Sequence, residues 1–351
     1  MRARLMVSVA VGAALTAACS GTPGDPAAGD SGTPSSLPSA ATAVPDQPPL
    51  RLPDLEELPS TSLLVHGAPA ALTTSPGTLW VQQHRGDELT RVDAERGRIL
   101  DTVNVGRLGC GDLLWAAGSV WQTGCGMTPG LVRIDGETTE VTDTLDLGGL
   151  GAAYLDGEIW SAAVEGAVAE LRRIDAAQVD EGHPVPVPGL LLDGGVVTAA
   201  GSIWVGDESA ALVYQVDPTA EEVVAVIPMP VPPDKGNMIE HDGAAWYVDM
   251  SLGVLVRVDP LDGSTRLLKV RLERPSEYRG LAASTALGAP GRLWVRSGDE
   301  EVWLVDTRHD RVLRRIAVLD GGGGDVQQIG DTLWVSSFAT DEVQRISLSN
   351  D

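Results

Sequence analysis

The chain has 351 residues, with 49 Asp and Glu against 25 Lys and Arg, a formal net charge of −24. A phosphate backbone demands a basic stripe, so this balance argues against nucleic acid as a partner and against docking of the folded body on anionic lipid. The length is enough for one large core or two ordinary ones.

The chain begins Met1-Arg2-Ala3-Arg4, runs through uncharged, apolar residues from Leu5 to Ala18, and reaches Cys19. A basic start, a short apolar run and small residues before a cut site describe a secretory signal over 1–18 rather than a membrane span. Leu15-Thr16-Ala17-Ala18-Cys19 resembles the lipobox of bacterial lipoproteins, with Thr16 where leucine is usual. That resemblance implies lipidation of Cys19 and attachment to the extracytoplasmic face of the cell membrane, where two or three acyl chains would hold the protein stably. Residues 19–59 are rich in Gly, Pro, Ser, Ala and Thr and are expected to form a disordered tether.

From about residue 60 one sentence is written seven times. Tryptophans 80, 121, 160, 204, 246, 294 and 334 recur at gaps of 39 to 48 residues, six of them three positions after a glycine. Some 12 to 15 residues later comes a second signature, seen in Arg91-Val92-Asp93, Arg133-Ile134-Asp135, Arg173-Ile174-Asp175 and Arg257-Val258-Asp259. Val, Ile and Tyr suit pleated surfaces, while Gly and Asp-Pro mark turns. Each unit reads as four strands, and a period near 42 with several strands per repeat is the mark of a β-propeller. The last unit ends after its third strand, so Thr61 to Val65 is expected to supply the missing outer strand and close the ring. The fold class is therefore all-β, a seven-bladed β-propeller over 60–351 with four-stranded antiparallel blades.

Cys110 and Cys125 remain as a pair for an oxidising compartment. With Ala117-Gly118 as a two-residue hairpin turn, residues whose numbers sum to 235 lie opposite one another, and these two do. A disulfide is expected there, worth roughly 3 kcal/mol in the chain-entropy model.

The pattern glycine, tryptophan, then Arg-x-Asp resembles YVTN/YncE-type and virginiamycin-B-lyase-like seven-bladed propellers. That resemblance implies a fold, and the fold hosts binders, scaffolds and enzymes alike. In the lyase, histidine and glutamate are expected around a metal at the mouth. Here His309 falls in a turn on the opposite face, His241 sits low on a first strand, and only His84 lies in a mouth-side loop.

The tryptophans are expected to wedge between blades, with ligand stacking as the other reading. The repeated Asp is expected to cap its turn by an Asx hydrogen bond, and the repeated Arg to pair with that Asp or with a neighbouring blade. At the mouth, where first strands begin and second strands end, the repeat gathers Asp112, Asp207, Asn237, Asp249 and Asp325. Such an oxygen-rich ring suits Ca²⁺, another divalent cation or a cationic small molecule; solvated carboxylates around a water-filled channel are the plainer reading. Loops 229–237 and 271–279 are the longest and are candidate recognition loops on the same face. The composite expectation is a monomeric, lipid-anchored binding or scaffold module for a small ligand or an envelope protein. A metal-assisted lyase or lactone hydrolase using the acidic mouth is the alternative.

Overall fold

The computed structural model describes residues 51–349, apart from 110, 126–127, 147–148, 150, 166–167, 191–192, 208, 232–235, 250–251, 273–282, 286–288 and 320–322. Every regular element among them is a β-strand, and the strands form seven sheets. Blade 1 runs Pro69–Ser75, Thr78–Gln83, Glu88–Asp93, Arg98–Asn104, and blades 2 to 5 repeat this four-strand order. Blade 6 spans Ala283–Thr285, Arg292–Ser297, Glu301–Asp306 and Arg311–Ala317. Blade 7 takes three strands from the C-terminal segment and its fourth from the N-terminal one: Ser60–Leu64 pairs antiparallel with Glu342–Ser347, Thr61 opposite Arg345. The expected closure of the ring is there, and no blade edge is left open between the first and last repeat.

The turn between first and second strands explains the glycine signature. At Ala117-Gly118 and Ala200-Gly201 both central residues have positive φ (49° and 76°; 50° and 77°), the mirror-image geometry that matches the twist of a hairpin. Only glycine takes the second position without strain. Leu114 faces Trp121 and Ala116 faces Ser119, so the hairpin register is the expected one. Cys110 lies outside the described residues, as does the side chain of Cys125, and so does Cys19.

Each tryptophan fills one seam between consecutive blades. Trp80 packs with Val120 and Val132 of blade 2, Trp121 with Ile159 and Ile174 of blade 3, and Trp160 with Val196 and Val205 of blade 4. Trp204, Trp246, Trp294 and Trp334 continue the series around to Leu72 and Val81 of blade 1. All seven are 2% exposed or less. The indole N–H of Trp121, Trp204 and Trp246 donates to the carbonyl five residues back, so a wide apolar ring is buried without stranding its one donor.

The second signature is also structural. Asp135, Asp175 and Asp217 each accept two backbone amides two and three residues on, the expected Asx cap. The arginine pairs with that aspartate at Arg257–Asp259 (2.8 Å), whereas Arg91 and Arg133 take Asp101 and Asp143 of the fourth strand. Arg91, Arg133 and Arg345 lie over the tryptophan directly across the ladder, at 5.1, 5.6 and 6.0 Å. Arg173 reaches Glu221 of the next blade at 2.6 Å, and Arg345 donates to the Glu95 carbonyl across the closing seam.

One boundary differs from the sequence reading. Residues 51–59, expected within the tether, lie on the body instead. Leu55–Glu56 adds a fifth, parallel strand to the outer edge of blade 6, opposite Arg315 and Ile316. Glu56 takes a forked contact from Arg314 (2.6 Å), while Leu52 and Leu58 pack on the cores of blades 5–6 and 6–7. Three leucines spaced three apart among prolines were the signal that this segment buries surface.

Candidate functional site

Inner strands begin, and second strands end, on one face of the ring, so the sequence-predicted mouth residues do share that face. Their side chains are built into it. Asp325 leads the inner strand of blade 7; its amide donates to Ser336 Oγ (2.6 Å) and its carboxylate accepts from Val326 (2.7 Å) and from Leu72 of blade 1 (2.8 Å). Asp112 repeats the arrangement in blade 2, with Thr123 Oγ1 at 2.6 Å and the Ala152 amide of blade 3 at 3.3 Å. These carboxylates therefore lace one inner strand to the next. Asn237 accepts from the Met238 amide (2.7 Å) and stands against Gly195 of blade 4, where any Cβ would strike its Oδ1.

Asp207 and Asp249 end their second strands fully buried. Asp207 Oδ1 accepts from the Ser209 amide, the Ser209 hydroxyl and the Ala210 amide (2.8–3.1 Å), and Asp249 Oδ1 accepts from the Leu252 amide at 2.7 Å. Each caps the loop that follows. The ring is oxygen-rich, and at least one oxygen of each of these carboxylates accepts a backbone amide. Among the described residues no three His, Cys, Asp or Glu side chains converge as a metal site would require.

The mouth also holds a positive charge. Arg296, at the end of the second strand of blade 6, is fully buried and donates to the carbonyls of Ser336 (2.7 Å) and Asp299 (3.0 Å). Burial pushes the Asp325 carboxyl up to about 6, against the opposing pull of the Leu72 and Val326 amides and of the Arg296 charge. The acid and the guanidinium thus hold blades 6, 7 and 1 together at the closing seam.

Of the histidines, His84 is in a mouth-side loop, with its ring 5.0 Å from that of Phe338 on blade 7. His241 is fully buried low on the inner strand of blade 5, edge-on to Trp246 and 3.2 Å from Thr307 Oγ1; burial lowers its pKa. His309 lies beside Asp306 in a turn on the face opposite the mouth. Residues 232–235 of loop 229–237 and 273–279 of loop 271–279 lie outside the described residues.

Sequence reasoning missed a cavity of about 550 Å³ on the mouth face between blades 1 and 2, lined by Arg85, Gly86, Asp87, Arg107, Leu108 and Asp146. Arg85 lies over Phe338 at 5.0 Å, and Arg107 meets Asp146 at 2.5 Å. One signal was available: Phe338 is the only phenylalanine in the chain, and it stands in a loop rather than a strand.

No family model matches this chain, and no curated protein matches it significantly. Among solved structures, virginiamycin B lyase from Staphylococcus aureus aligns over 83% of this chain and 100% of its own, at 16% identity and a TM-score of 0.66. A catalytically inactive form of that lyase with quinupristin aligns over the same shares, at 15% identity and a TM-score of 0.68. Hydrazine synthase from Kuenenia stuttgartiensis aligns over 81% of this chain and 97% of its own, at 12% identity and a TM-score of 0.66. Likeness at these identities carries the fold alone, and neighbours so different in activity illustrate why fold does not give function.

Proposed function

We propose that this chain is a lipid-anchored, extracytoplasmic β-propeller that serves as a binding or scaffold module, carried on its tether from Cys19 and meeting a small ligand or an envelope protein through the mouth-face loops. The observation that carries this reading is the state of the mouth acids. Asp112, Asp207, Asp249 and Asp325 each already accept backbone amides, two of them across a blade seam. Groups so committed hold strands and loops in place, which leaves recognition to the rim around them. The sequence supports the cellular placement, through the signal over 1–18 and the small residues before Cys19.

Two measurements test it. Fractionation should find the wild-type chain with membranes and Cys19→Ser in the soluble extracytoplasmic fraction; equal partitioning would refute the anchor. Purified protein should leave cyclic lactone substrates such as quinupristin intact. Turnover abolished by Asp207→Ala would overturn the binding role in favour of a lyase or hydrolase.

A further inference from the structure

We infer that the cavity between blades 1 and 2 binds a small oxyanion, a carboxylate or phosphate attached to a short apolar group, between Arg85 and Arg107; this rests on the reading of the mouth face as the recognition face. Arginine on this surface is unusual in its surroundings. In a chain of net charge −24, Arg85 has no carboxylate within ion-pair distance among the described residues. Its guanidinium lies instead on the Phe338 ring, which His84 also touches. That contact holds the guanidinium beside the cavity, and a guanidinium fork suits bidentate contact with an oxyanion.

Arg107 supplies the second half. One of its partners, Asp146, has a side chain 84% exposed, and so open an ion pair contributes little. Asp146 thus occupies, through a single Nη2 to Oδ1 contact, a place on Arg107 that a ligand's carboxylate would take. Gly86 keeps the Arg85 loop close to the body, since a Cβ there would collide with the side chain of Gln83. Leu108, 43% exposed, offers an apolar wall on the same cavity. Asp87 also lines it, so two arginines meet two aspartates, and the balance favours a singly charged ligand over a polyanion.

The test is thermal unfolding of the full chain in detergent, with sodium butyrate or inorganic phosphate titrated against sodium chloride at equal ionic strength. Binding to the folded state raises the midpoint saturably. We expect one of the two anions to do so, which also identifies the oxyanion class. Arg85→Ala and Arg107→Ala should each raise the half-saturating concentration about tenfold, as loss of one charge-assisted fork contact implies. Asp146→Asn should lower it several-fold by removing the competitor. Should an alanine variant fail to fold, Arg85→Lys, which keeps the charge and loses the fork, is expected to weaken binding as well. No saturable response beyond chloride, or the same half-saturation in every variant, would overturn the site. Absence of any anion response together with an envelope protein cross-linked to the mouth loops would overturn it too, while leaving the binding role intact.

Discussion

Asp325 is a carboxylic acid whose burial outweighs the two amides and the Arg296 charge that favour its ionised form. Its folded pKa, about 6, stands above the ordinary 3.8, so the folded state holds the proton more tightly than the unfolded chain does. The stability this contributes is fully present below 3.8 and is lost as pH rises to about 6, roughly 3 kcal/mol over that window. His241 works in the opposite sense: burial lowers its pKa from 6.5, so its contribution is present above 6.5 and fades as pH falls below. The two partly cancel in the wild type, and a variant separates them. Asp325→Asn keeps an oxygen for the Leu72 amide and cannot ionise; urea unfolding from pH 4 to 8 should show it gaining on the wild type as pH rises. A difference that stays constant with pH would contradict the assignment. Trp204 makes the matching argument for the apolar residues. Its indole fills the seam between blades 4 and 5 at 0% exposure, so Trp204→Ala should cost about 3–5 kcal/mol in the same assay.

The four-strand unit, its tryptophan and its turn acid were legible before any coordinates, because each obeys a local rule repeated in phase. Glycine with positive φ, period-two apolar strands and an Asp two residues before free amides leave marks at fixed spacing. What was not legible is whatever joins one unit to another. That Arg173 pairs with Glu221, 48 residues on, or that Asp325 accepts the amide of Leu72, 253 residues away, depends on the closed ring. Sequence spacing puts the mouth acids at strand ends but does not reveal which of their oxygens face amides. The cavity arginines escaped for the same reason: Arg85, Phe338 and Arg107 meet only once blades 7, 1 and 2 stand side by side. At this scale the N-terminal strand makes a direct prediction. Val65, 2% exposed in the blade 7–1 seam, follows the closing strand, and its amide bonds to the Asp341 carbonyl. Val65→Asp would bury an unpaired carboxylate there and should cost about 3 kcal/mol or more, with early exposure of blades 1 and 7 in hydrogen exchange. Exchange lost evenly around the ring would argue against a weak seam.

Taken whole, the molecule divides labour between axis and rim. Around the axis, seven near-identical hairpins bring polar side chains to one mouth, and those side chains hold strand to strand and loop to strand. At the outer edge of blade 6 the residues from 51 to 58 are seated as a strap before the closing strand begins. The mouth-side loops between blades are under no such repeated constraint, and there the chain places an arginine on its single phenylalanine beside a cavity. This division stands or falls on whether the mouth acids build or bind. Urea unfolding of Asp207→Ala asks that question most directly, because three donors converge on the Oδ1 it removes. A loss of about 1–2 kcal/mol relative to wild type is expected, from the hydrogen bonds that fix the following loop to the buried end of the strand. A variant as stable as the wild type would mean that the carboxylate is held ready for a ligand, and would contradict it.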